Sequence, residues 1–184
     1  MARSYDSFLL DLGTFKKRNI NRMDDAEFLT ECVYAYLCGI DNVTAKKLDD
    51  LYREREIRFP ELEVVNRVLN HAFQCISEMH GIQGTAMVRE YNLYSLVTAL
   101  MHLSEYSPAL EEFGQGAVRL PLVEAVDNLI RLATAIDDGE TEMRLRPFKW
   151  ACSGATNRTT QRTIRLHYIC AALTTGDFNA TYDH

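Results

Sequence analysis

The residues with the clearest chemical potential lie near the end of the chain. In SGATNRTTQRTIRLHYICAAL, residues 153–173, Arg158, Arg162 and Arg165 recur at i, i+4 and i+7. That spacing sets three guanidinium groups on one face of a helix. Such a row can grip a phosphate backbone, helped by the donors of Thr156, Asn157, Thr159 and Thr160 and by open N–H groups at the helix start. Arg144, Arg146 and Lys149 extend the candidate nucleic-acid or anion surface to six residues. The same guanidinium groups can instead pair with carboxylates of this chain or of an acidic partner, where exposed pairs contribute about 0–1 kcal/mol each. Both readings stay open on spacing alone.

Reactive centres are sparse. The sequence contains no GxxxxGK[ST], GxGxxG, GxSxG or HExxH pattern. GIQGTA has two glycines but no lysine, so it does not make a phosphate loop. His71 and Cys75 stand four apart and can share a helix face, yet no third ligand follows at matching spacing. His102 is expected on the polar face of its helix, and His80, before Gly81, suits a helix C-terminal dipole. His167 lies beside the arginine row, within reach of a bound phosphate. The acidic pairs Asp24/Asp25, Asp49/Asp50, Glu111/Glu112 and Asp137/Asp138 fall at helix starts or on charged faces. A hydrolase would need such groups converging in a cleft. The expectation is a chain without catalysis, cofactor or metal.

The elements that must position these residues share a period of 3.6. In DDAEFLTECVYAYLCG, Asp24 suits an N-cap with Glu27 three residues on, and Gly39 suits a stop. Phe28, Leu29, Cys32, Val33, Tyr36 and Leu37 make its inner face. VTAKKLDDLYRERE has a narrower stripe of Leu48, Leu51 and Tyr52. FPELEVVNRVLNHAFQCISEMHG points Leu62, Val65, Leu69, Ala72, Phe73, Ile76 and Met79 inward. REYNLYSLVTALMHLSEY follows, broken by Pro108, Gly114 and Gly116. LPLVEAVDNLIRLATAIDDG lines its core side with Leu122, Val126, Leu129, Ile130, Ala133 and Ile136. Residues 3–18 offer a first helix through Phe8, Leu9, Leu12 and Phe15. Residues 140–155, with Pro147, Trp150 and Gly154, read as a connection to a last helix from about Thr156 to Thr175. No alternating β-branched run or fixed repeat appears. The expected fold is all-α, a single domain and compact bundle of about six or seven helices over residues 1–184.

With 184 residues, 47% hydrophobic and 25% charged, the chain has an ordinary globular composition. Apolar runs are too short for a membrane helix, and MARSYDSFLLDLG lacks a signal-peptide core. Five cysteines without a CxxC pair read as reduced thiols, which points to the cytoplasm. The net charge of −6 is uneven. Residues 143–168 hold six basic side chains and no acid, whereas residues 24–142 hold nine basic and twenty-two acidic ones. Two basic ends flank an acidic middle. This can mark a nucleic-acid surface, or ends that fold back onto an acidic body.

One segment carries a family resemblance. FKKRNINRMDDAEFLTECVYAYLCGIDNVTAKKLDDLYRE resembles a recurrent segment of the DUF 262 family, GmrSD-type, ParB-like restriction proteins. The matching residues are Asn21, Arg22, Met23, Asp24, Gly39, Lys46, Lys47, Leu48, Asp49 and Tyr52. YNLYSLVTALMHL and ATNRTTQRTIRL look like that family's later aromatic-rich and Thr/Asn/Arg helices. The family's Asp-Gly-Gln-Gln-Arg motif and its HNH-type nuclease signature are both missing here. The resemblance therefore implies the helical portion without the catalysis: a non-catalytic module of a DNA-targeting, anti-phage or restriction-type system. It would act through a protein partner and through nucleic-acid backbone contact. The alternative is a small acidic inhibitor or adaptor that binds another protein.

Overall fold

The computed structural model describes residues 5–114 and 120–179. Nine α-helical segments stand among them: α1 (Asp6–Asp11), α2 (Lys17–Asn21), α3 (Asp24–Cys38), α4 (Ala45–Ile57), α5 (Leu62–Glu78), α6 (Glu90–Ser104), α7 (Leu122–Asp137), α8 (Arg146–Ala151) and α9 (Thr159–Thr174). Short 3-10 turns link them, and no strand occurs among the described residues. The fold is an all-α bundle, as the periodicity requires. Its six long helices run thirteen to seventeen residues each.

The centre is α6. It packs against α3, α5 and α9, and every residue from Asn92 to Leu103 is buried. A helix enclosed all round must also hide its polar side chains, and each needs a partner inside. Asn92 donates to the Ala86 carbonyl at 2.8 Å, and Ser95 to the Tyr91 carbonyl at 3.3 Å. His102 was expected at the surface; it is 1% exposed. Its Nδ1 accepts the Ser107 N–H at 3.2 Å, and its Nε2 lies 2.6 Å from the Gly114 carbonyl. The imidazole thus ties the 3-10 segment Pro108–Phe113 to α6.

The helix α3 starts one residue earlier than a cap at Asp24 implies. Met23 is the N-cap, in the left-handed region at φ 65°, and Asp24 accepts from Asn19 Nδ2 at 2.8 Å. Gly39 stops the helix at φ 91°, a backbone position that L side chains rarely adopt. There is no room for one either: a Cβ at Gly39 would lie 3.0 Å from the Ala109 carbonyl oxygen. Asp25 is not a cap but a buried carboxyl, 4% exposed. Burial and the nearby Asp6 raise its pKa.

Three other expectations differ. Tyr52, Leu62 and Leu122 were placed inward, but each is more than 40% exposed, lying near a helix end or on a thinly packed helix. Residues 140–155 are more than a connection. They form a 3-10 turn, Met143–Leu145, that buries Leu145, and then α8, which inserts Phe148 and Ala151 into the core. Pro147 begins α8 rather than breaking it, because its fixed φ and missing N–H suit the first turn. Of the expected helix breakers, Gly116 lies outside the described residues.

Candidate functional site

The arginine row of α9 divides by depth. Arg158 is the N-cap residue and is exposed. Arg162 and Arg165 are 3% and 1% exposed. Arg162 and Arg165 lie on the side of α9 that packs onto α6 and α8, whereas Arg158, extended and one residue before the helix, stays in solvent. Arg162 and Arg165 therefore offer no donor to a nucleic-acid backbone, which corrects the expectation that the whole row forms a binding face.

Arg162 answers the acidic middle of the chain. Its Nη2 donates to Glu31 Oε2 at 2.6 Å, joining α9 to α3. Its guanidinium lies over the Tyr94 ring of α6, 4.4 Å from the centroid. A cation on the negative face of an aromatic ring gains about 2 kcal/mol when desolvated. That stacking explains why Nε and Nη1 have no conventional acceptor. Burial opposes the charge, but Tyr94 and Glu31 outweigh it and hold the guanidinium pKa above its ordinary value. Carboxylates crowd the same end. Glu90, at the start of α6, has its pKa raised by burial and by Glu31, Asp24 and Glu27.

Arg165 has a different task. Its Nη1 donates to the Ala151 carbonyl at 2.7 Å and its Nη2 to the Thr156 carbonyl at 2.6 Å. It clamps the turn between α8 and α9, where Ala155 sits at φ 49°. The first bond also satisfies a carbonyl at the α8 C-terminus, where a cation is favourable. The Tyr91 ring lies 5.4 Å away. Burial pulls the Arg165 pKa down to about 10, which still leaves it charged at neutral pH.

The outer basic residues are mostly engaged too. Arg144 Nε donates to Glu142 at 2.8 Å, and Arg131 grips the same carboxylate at 2.7 Å. These two guanidiniums hold the Glu142 pKa below the usual range. Lys149 donates to the Asp138 carbonyl and to Thr141 Oγ1. Arg146 and Arg158 are exposed. The start of α9 is also occupied, because the Thr159 N–H donates to Asn42 Oδ1 at 2.9 Å. Beside Arg146, Trp150 is 52% exposed and Met143 79% exposed.

The remaining candidates fall as follows. His71 Nε2 and Cys75 Sγ are 3.4 Å apart. Among the described residues, no three His, Cys, Asp or Glu side chains come together at a metal-binding distance. His167 is half-buried against Phe113, ring centroids 4.5 Å apart, and burial lowers its pKa. All five cysteines are free thiols. Burial raises the pKa of Cys32, and pushes Cys152 and Cys170 up to about 12, far from a reactive thiolate. No described helix is long and apolar enough to cross a membrane.

Sequence reasoning missed the roles of Glu31, Tyr91 and Tyr94. Their one signal was indirect: a helix with arginines on its inner face needs carboxylates and aromatic rings opposite. No protein-family model, characterised protein or solved structure matches this chain.

Proposed function

We propose that this chain is a non-catalytic helical module that acts by contact with another protein, in the DNA-targeting defence setting that its DUF 262 resemblance implies. The observation that carries this reading is the inward use of Arg162 and Arg165. Their burial removes the last two of the six basic side chains in the acid-free stretch 143–168. The surface left behind is more negative than the net charge of −6 indicates. Polyanions are repelled by such a surface, while basic or apolar protein surfaces suit it. The segment that carries the resemblance fits the same reading, because its residues build structure. Met23 and Gly39 bound α3, Leu48 is buried, and Tyr52 bonds Thr30 of α3 at 2.5 Å.

The test has two arms. In the first, the full chain meets short duplex and single-stranded DNA at low and moderate salt in a mobility-shift assay. No retardation is expected. Salt-sensitive retardation abolished by Arg146→Glu with Arg158→Glu would transfer the reading to nucleic-acid contact, since those are the exposed cations of the candidate set. In the second arm, the chain is co-expressed with the product of an adjacent gene bearing a nucleotide-hydrolase or nuclease motif. A stoichiometric complex that survives gel filtration is the expected result.

A further inference from the structure

A cavity of about 560 Å³ opens between α3, α4 and the turn into α5. Its origin is legible in the α4 sequence. Leu48, Leu51, Tyr52 and Arg55 fall at i, i+3, i+4 and i+7, on one helical stripe. Both leucines are buried, but where the stripe calls for another large apolar residue, Arg55 stands instead. The space beyond it is walled by Leu29, Val33, Leu51, Phe59 and Val65. Three polar features line it: the hydroxyl pair Thr30–Tyr52 at 2.5 Å, the Arg55 guanidinium and, at the rim, the Glu56 carboxylate.

Arg55 is poorly used by its own chain. Its Nε is buried and has no acceptor. Its Nη1 lies 3.1 Å from Glu61 Oε2, yet that oxygen also lacks a hydrogen-bond partner, so the contact is an ion pair without directed bonds. The guanidinium is 5.8 Å from the Phe59 ring centroid, against the apolar wall. The neighbouring anion, Glu56, is exposed, so water screens its charge more than that of half-buried Arg55.

We propose that this cavity binds a free amphipathic monocarboxylate, an aliphatic or aryl-alkyl acid. Its apolar body lies against Leu29, Val33, Leu51 and Val65, and its carboxylate sits on Arg55. The volume suits a small-molecule site, and so does the pattern of apolar walls with few polar groups. The charge selects the head group. The Nε–H and an Nη–H of one guanidinium form a planar fork that matches a carboxylate with two parallel bonds. Glu61, its side chain 38% exposed, is then released to water. This inference stands apart from the partner-protein reading, and neither needs the other.

Isothermal titration of the full chain with hexanoate, octanoate, decanoate and decanol, below micelle-forming concentrations, tests it. One-to-one binding is expected, tightening by about fourfold per added methylene until the cavity is full. Arg55→Gln lowers decanoate affinity by about tenfold or more and leaves decanol unchanged. Ala26→Trp, from a half-exposed position on the cavity wall, abolishes both, with circular dichroism confirming that each variant keeps its helix content. Absence of saturable decanoate binding in the native chain overturns the proposal. Equal affinity for decanol and decanoate overturns it as well, as does an unchanged Arg55→Gln variant. Sedimentation showing a dimer that Ala26→Trp dissociates would assign the cavity to a second copy, and a helical peptide that binds the native chain but not Ala26→Trp, while acids bind neither, would assign it to a partner; either result also refutes the acid site.

Discussion

The pairing of Arg162 with Glu31 makes an unequal pair of mutational costs. The two side chains meet at 2.6 Å but are buried to different depths, 3% exposed for Arg162 and 21% for Glu31. Removing one partner of a fully buried pair costs about 3–5 kcal/mol, because the other is left charged in a medium of low dielectric. Glu31→Gln leaves that burden on Arg162, which cannot reach water. The Tyr94 face and the nearby Glu90 offset part of it, so about 2–3 kcal/mol remains. Arg162→Met leaves the burden on Glu31, which can turn toward solvent, while the methionine keeps most of the packing against Tyr94. Its cost is about 1–2 kcal/mol. Urea titration at pH 7 followed by far-ultraviolet circular dichroism measures both, and the double variant completes the cycle. In the double variant no charge is stranded, so its cost falls below the sum of the singles by about 1 kcal/mol or more. If Arg162→Met is the more costly single change, or if the two costs simply add, the buried ion pair does not set the stability of this end of the bundle.

Gly39→Ala sets a Cβ against a backbone carbonyl at a φ of 91° and is expected to cost about 2–3 kcal/mol, seen as a lower thermal midpoint. His102 is kept below its ordinary pKa by burial, so the unfolded chain takes up its proton first as pH falls. Stability is therefore full above about pH 6.5 and declines below it, with His167 adding to the slope in the same sense. His102→Gln should lower stability at pH 7 and flatten part of that decline in urea titrations at stepped pH. Asp25 has the opposite sign: its pKa is raised by burial and Asp6, so its ionised form costs stability above the ordinary carboxyl range. Asp25→Asn should stabilise the fold by about 1 kcal/mol at pH 7, and the gain should vanish near pH 3, where both forms are neutral.

Much of this protein was readable without coordinates, because an amphipathic helix records its buried stripe locally. The 3.6 period located α3, α5, α6 and α7, and Gly39 marked a stop for the reason the backbone later displays. The all-α class follows from that period alone. Depth is another matter. The periodicity of α9 groups Arg158, Arg162 and Arg165 on one side, but a helical wheel has no outside, and Arg158 falls one residue before the helix. Which side meets solvent depends on the helices around it. The enclosure of α6 likewise sends His102 inward from what reads as a polar face. A buried guanidinium is tolerable only where carbonyls, a carboxylate and aromatic rings converge on it. Those groups come from Glu31, Tyr91, Tyr94, Ala151 and Thr156, of which Glu31 lies more than a hundred residues away along the chain. The sequence by itself determined the long helices and the uneven charge. Only the tertiary structure decided that the arginines hold the bundle together, because the cost of burying a charge is settled by partners that local spacing does not reveal.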